Sequence, residues 1–162
     1  MINTVKTLVL EAGGELKQRG LKLATAESCT GGGLSYWLTS VPGSSDWFER
    51  GFVTYSNAAK IEMLGVNGQT IDTVGAVSEQ TALEMAAGAL RLSHAELAVA
   101  ITGIAGPDGG SEEKPVGTVW IAWGGSNSAI TAELNVFPGD RQNIRLCSIA
   151  KALEKVLEMI RR

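Results

Sequence analysis

The chain is expected to form an α/β fold, a three-layer α/β/α arrangement around a mixed β-sheet. Two observations predict it. Strand-like and helix-like segments alternate through the first hundred residues, the pattern of parallel strands joined by helical crossovers. Then "PVGTVWIAW" at 115–123 and "AITAELNVF" at 129–137 follow one another across the short "GGSNS", which suits an antiparallel hairpin. A sheet holding both kinds of pairing needs helices on both faces. With 162 residues, 44 % of them hydrophobic, the chain has material for one domain with a real core, expected to span 1–162.

Each element has its own local reason. Val5, Leu8, Val9, Ala12 and Leu16 recur at helical spacing over 4–19, and Gly20 ends the run. Residues 21–26 read as a short buried strand, and 33–40 as a helix stopped by the turn signal "VPGSS". "GFVTYS" at 51–56 is β-rich, with Asn57 as N-cap of a helix to about Leu64. A strand is expected within 70–77, and Ser78 caps an alanine-rich helix to about Leu92. "ELAVAIT" at 96–102 is the cleanest buried strand. Asp140 opens the last helix, where Ile144, Cys147, Ala150, Leu153, Leu157 and Ile160 line one face.

Composition narrows the function classes. Formal net charge is −3 with the two signs mixed, so no basic patch speaks for nucleic acid. The apolar runs are too short to cross a bilayer. The N-terminal stretch has no basic region ahead of an apolar one, which argues against a signal peptide and for a cytoplasmic protein. Cys29 and Cys147 offer neither a disulfide framework nor metal spacing, and no metal or other cofactor is expected. Trp37, Trp47, Phe48 and Trp123 are candidates for a subunit interface in a homo-oligomer.

In doubly wound sheets, sites gather at the carboxyl ends of strands, and three segments there carry chemistry. In "AESCTGGG", Ser28 is either a nucleophile beside backbone N–H groups able to hold an oxyanion, or, with Thr30, a plain helix cap. The phosphate-loop pattern GxxxxGK[ST] is absent. Cys29 is a rival nucleophile or a buried structural thiol. A nucleophilic serine needs a base, yet the one histidine, His94, falls at a helix end away from these loops. Lys60 meets the need. A place in the first turn of a helix and partial burial both lower an amine's pKa, although an ordinary exposed lysine fits the spacing equally. Tyr55 stands at the strand end beside it. Thr102 and the glycines of 103–106 form a third loop. Arg141 and Arg145, four apart, share a helix face and could hold a phosphate or pair with surface acids.

Several motifs occur in order over about 20–160: "AESCTGG", "RGFVTYSNAAKIEMLGV", "GAVSEQTA", "AITGIAGPDGGSEEKPVGTVWIAW" and "FPGDR". Together they resemble the C-terminal domain of the competence/damage-inducible CinA proteins, whose stand-alone versions are nicotinamide mononucleotide amidohydrolases. The resemblance implies hydrolysis of nicotinamide mononucleotide, a small-molecule substrate, to nicotinic acid mononucleotide and ammonia in pyridine-nucleotide salvage. It implies Ser28 as nucleophile with Lys60 and Tyr55 in catalytic roles. It further implies substrate contacts from Thr30, Gly31, Gly32, Asn57, Thr102, Gly103, Ile104, Ala105, Gly106, Arg141 and, less directly, Arg145. A non-catalytic nucleotide-binding module tied to competence or DNA damage is the rival reading.

Overall fold

A computed structural model describes residues 1–162. Its elements run α1 (Ile2–Arg19), β1 (Leu23–Glu27), α2 (Gly33–Thr39), β2 (Phe48–Val53), α3 (Asn57–Leu64), α4 (Gly68–Val74), α5 (Glu79–Arg91), β3 (Leu97–Gly103), β4 (Thr118–Gly125), β5 (Thr131–Val136) and α6 (Arg141–Arg161). The five strands form one sheet in the order β2-β1-β3-β4-β5. β1 pairs in parallel with β2 and β3, whereas β3–β4 and β4–β5 are antiparallel. The mixed sheet and its terminal hairpin are thus as expected.

The two faces of the sheet carry side chains of different size, because neighbours along a strand point to opposite sides. Leu23, Val99, Ile101, Val119, Ile121 and Trp123 face one way. They pack on Val5, Val9 and Leu16 of α1 and on Ile149, Leu153 and Val156 of α6. On the other face stand Ala26, Ala98, Ala100 and Ala122, against Ala82, Met85, Ala86 and Ala89 of α5 and Leu64 of α3. Alanine on both partners lets α5 approach the sheet closely. Gly88 carries the same economy one step outward, since a Cβ there would collide with the Leu64 carbonyl that ends α3.

Three expectations need correction. No strand lies within 70–77: residues 68–74 form α4, with the Asn67 side chain accepting from the Gln69 amide at 2.9 Å. The β-branched Thr70, Ile71, Thr73 and Val74 suggest a strand, but the cap prevails and Ile71 alone among α4 residues is buried. The N-cap of α3 is Ser56, whose Oγ accepts from the Ala59 amide at 3.0 Å, and Asn57 is the first helical residue. β2 lies earlier than 51–56, because Thr54, Tyr55 and Ser56 leave the sheet to enter α3. The aromatic interface candidates also divide. Trp47 and Trp123 are core residues, and the Trp123 indole donates to the Ala152 carbonyl of α6 at 3.0 Å.

This topology decides where a site can form. The connection leaving β1 runs toward β2, whereas the one arriving at β3 crosses back over the sheet. Their carboxyl ends therefore bound a switch point, with a crevice between β1 and β3. β5 runs parallel to β3, so the start of α6 reaches the same edge. Gly88→Ala is expected to cost about 1–3 kcal/mol by overpacking α5 against α3, read as a lower midpoint in urea unfolding.

Candidate active site

The turn after β1 is held from behind by a carboxylate. Glu27 is fully buried, and its oxygens accept from the amides of Leu34 at 2.8 Å and Ser35 at 2.9 Å and from the Ser35 hydroxyl at 2.6 Å. These are the orphan donors of the first turn of α2, so Glu27 caps that helix from the preceding strand. Ser28 N donates to the Ile101 carbonyl of β3, Gly31 N to Ser28 O, and Gly33 N to Thr30 O. Arg145 of α6 also donates to Thr30 O, at 2.8 Å. Left-handed φ values of 58° at Gly31 and 90° at Gly32 let the backbone reverse here, a conformation that only glycine adopts without strain. The amides of Cys29, Thr30 and Gly32 are left without an acceptor in the chain. Gly33 belongs to the turn and the helix start.

Opposite this turn, Lys60 enters from the first turn of α3. Its Nζ is 2.9 Å from Ser28 Oγ and donates to the Thr54 carbonyl, also at 2.9 Å. The side chain is 1 % exposed, and burial pushes the amine below its ordinary pKa of 10.5. A Cys29 thiolate would oppose that shift. Burial pushes the Cys29 thiol up to about 12, so it stays neutral and does not hold the lysine charged. Burial thus disfavours the Cys29 thiolate, the form in which a thiol reacts.

A cavity of about 310 Å³ opens onto this pair. Ser28, Tyr55, Asn57, Lys60, Thr102, Gly103, Ile104, Ala105, Gly106 and Arg141 all line it, so most of the residues expected at a site do converge. Tyr55 takes its partner from α6. Its hydroxyl accepts from Arg141 Nη2 at 2.8 Å, and neither Ser28 nor Lys60 bonds to it. Arg141 Nη1 donates to Gly106 O at 2.8 Å, tying the third loop to α6. The Thr102 hydroxyl donates to Ala76 O at 2.8 Å and so braces the cavity wall. Four expected residues lie outside the cavity. Gly31, Gly32 and Arg145 line a neighbouring groove of about 780 Å³ with Tyr36 and Trp37, while Thr30 is buried with its hydroxyl unpartnered. His94 is exposed and remote, donating its amide to Glu49.

The spacing of motifs did not reveal Glu27, Ala76, Val77, Asp108 or Gly109. Glu27 had a signal, because a carboxylate seven residues before an amide can reach it only if a turn intervenes, and the glycines supply one. Ala76 and Val77 come from the connection between α4 and α5, where a strand was expected.

A hydroxyl bonded to a buried amine, beside unpaired amides at the carboxyl edge of an α/β/α sheet, defines a Ser–Lys site on a doubly wound scaffold. The chain belongs to the CinA family: the model for the CinA C-terminal domain matches residues 5–160. The protein named nicotinamide-nucleotide amidohydrolase PncC of Escherichia coli (strain K12) is 53 % identical over 144 residues, covering 89 % of this chain and 87 % of that protein. The protein of the same name from Pseudomonas putida is 47 % identical over 158 residues, 98 % of both chains. Among solved structures, the competence/damage inducible protein CihA of Agrobacterium tumefaciens superposes with a TM-score of 0.95 at 46 % identity, covering 98 % of this chain and 96 % of that one. A CinA superfamily protein from Klebsiella pneumoniae gives 0.93 at 36 % identity, covering 97 % and 98 %.

Two measurements probe the supports of the site. Glu27→Ala leaves the Leu34 and Ser35 amides without their acceptor and is expected to cost about 3 kcal/mol in urea unfolding. For Lys60, the folded pKa lies below the unfolded one, so between the two values the unfolded chain binds more protons. The cost of burying the charged amine is complete below the folded pKa and is relieved as pH rises through it toward 10.5. Unfolding free energies measured across that window should therefore show the parent protein gaining on Lys60→Met as pH increases.

Proposed function

We propose that this protein hydrolyses the carboxamide of nicotinamide mononucleotide, giving nicotinic acid mononucleotide and ammonia. The observation that carries the reading is the 2.9 Å hydrogen bond between Ser28 Oγ and the buried Lys60 Nζ inside a cavity. The names of relatives at about 50 % identity over nearly the whole chain support the substrate.

The chemistry follows from the two side chains. Neutral Lys60 accepts the Ser28 proton as Oγ attacks the amide carbon, so the amine becomes an ammonium and a tetrahedral oxyanion forms. The unpaired Cys29 amide, the one of this turn that lines the cavity, donates to that oxyanion, a contribution of about 3 kcal/mol for such a donor in comparable sites. The C–N bond then breaks, and Lys60 returns the proton to the departing nitrogen, which leaves as ammonia. Water, deprotonated by the again neutral Lys60, attacks the Ser28 ester; the acyl–Oγ bond breaks, Lys60 returns the proton to Ser28 Oγ, and the acid is released. The pyridinium ring withdraws electrons from the carboxamide and favours both attacks. Arg141 serves two ends here. It orients the Tyr55 hydroxyl toward the cavity, and with Arg145 nearby it supplies positive charge for a phosphate. A reaction of this kind returns the pyridine ring to dinucleotide synthesis as the acid, a salvage role.

Ammonia release from nicotinamide mononucleotide by the purified protein tests the reading. Ser28→Ala should lower kcat by about a thousandfold or more, and Lys60→Ala nearly as much. Lys60→Arg should give no rescue, because a guanidinium keeps its proton. An inactive parent protein that still binds the nucleotide would instead identify a non-catalytic module.

A further inference from the structure

Three charged side chains line the catalytic cavity: Lys60, Arg141 and Asp108. Lys60 is needed neutral, which leaves one cation and one anion. Arg141 spends its guanidinium on Gly106 O and Tyr55 Oη. Asp108 takes part in none of the chain's ion pairs. Asp108 is exposed, in a loop that is tied at its two ends. Ile104 N donates to Thr118 O at 2.9 Å, Gly117 N to Ile104 O at 2.8 Å, and Lys114 Nζ reaches Val74 O at 2.9 Å. Gly106 and Gly109, at φ values of 75° and 89°, bracket Asp108 and fix the turn that presents it. An exposed, unpaired carboxylate thus stands at the wall of a cavity whose other charge is positive.

We propose that Asp108 selects for the cationic pyridinium ring of the substrate, an assignment that rests on the proposed amidase reading. Without it, the one charge left at the cavity wall beside neutral Lys60 would be Arg141, which serves the phosphate, and nothing would complement the ring cation. With it, the local charge balances before the substrate arrives, and the ring faces an anion. The same charge acts on the product with opposite sign. Hydrolysis turns a neutral carboxamide into a carboxylate, which Asp108 repels, so the residue favours entry of the amide over retention of the acid. A neutral pyridine amide gains nothing from the contact. Asp108 is therefore a specificity-determining residue and takes no part in proton transfer.

Binding isolates this effect from turnover. In the Ser28→Ala background, affinity for nicotinamide mononucleotide should fall about tenfold when Asp108→Asn is added, the scale of one unit charge a few ångströms away when water screens it, as it does at exposed Asp108. Affinity for its 1,4-dihydro form, which has the same ribose phosphate and an uncharged ring, should stay within about twofold. Raising salt to about 0.5 M should shrink the difference, because the cavity mouth is open to solvent. Equal losses for both ligands, or no loss for either, would overturn the proposal while ammonia release by the parent protein kept the amidase reading intact. Failure of the parent protein to release ammonia would overturn the reading itself.

Discussion

An amine buried against a hydroxyl is the constraint to which the surrounding structure answers. A lysine taken out of water costs free energy unless its nitrogen finds acceptors or gives up its charge. Both outlets are present: the Thr54 carbonyl and Ser28 Oγ accept from it, and burial lowers its pKa. That arrangement needs β1 to end beside the start of α3, hence Thr54 to Ser56 leave the sheet early. It needs the β1 turn to be rigid, hence the buried Glu27. It also needs the walls to come from separated parts of the chain, which a switch point in the sheet order provides.

The turn is fixed by side chains distant in sequence as much as by its own glycines. Glu27 holds it to α2, Arg145 holds Thr30 to α6, and Arg141 holds Gly106 to the same helix. Two loops that follow different strands are thereby referred to one helix, α6, which itself packs on α1 and the large-residue face of the sheet. A long helix in a well-packed layer is a firm reference, and an arginine can span from it to loops on the sheet edge. Both arginines act on backbone carbonyls, so the contacts do not depend on the side chain at Thr30, while Gly106 is held to glycine by its φ of 75° and by Val116.

Alternation of periodicities in the sequence was enough for the fold class and for four of the five strands, with β2 displaced by a few residues. The segment at 70–77 misled because β-branched residues mark strands only where a sheet has a vacant edge, and α4 instead packs beside α5. Ser28, Lys60 and the third loop could be read as chemistry because hydroxyl, amine and glycines lie where strands end. Their mutual distance could not, since it depends on how α3 leaves the sheet. Asn57 lost the cap to Ser56 for a reason within one residue, as both side chains cap well and only backbone φ and ψ decide between them. Tyr55 went to Arg141, 86 positions further on, because the fold brings α6 to the same edge.

The alanine face of the sheet has a consequence for how the protein can change. On the α1–α6 side, bulky aliphatic groups can exchange volume among themselves, and a swap is absorbed by neighbours with rotamers to spare. On the α5 side the sheet contributes alanines, which have no rotamers to adjust. Gly88 touches the last carbonyl of α3, and α3 is the helix that carries Lys60. A methyl group added along α5 is therefore transmitted as a displacement of a whole helix, and the lysine at its far end moves with it. Sequence drift should accumulate on one side of the sheet and be purged from the other, although the alanines of α5 line no part of the cavity.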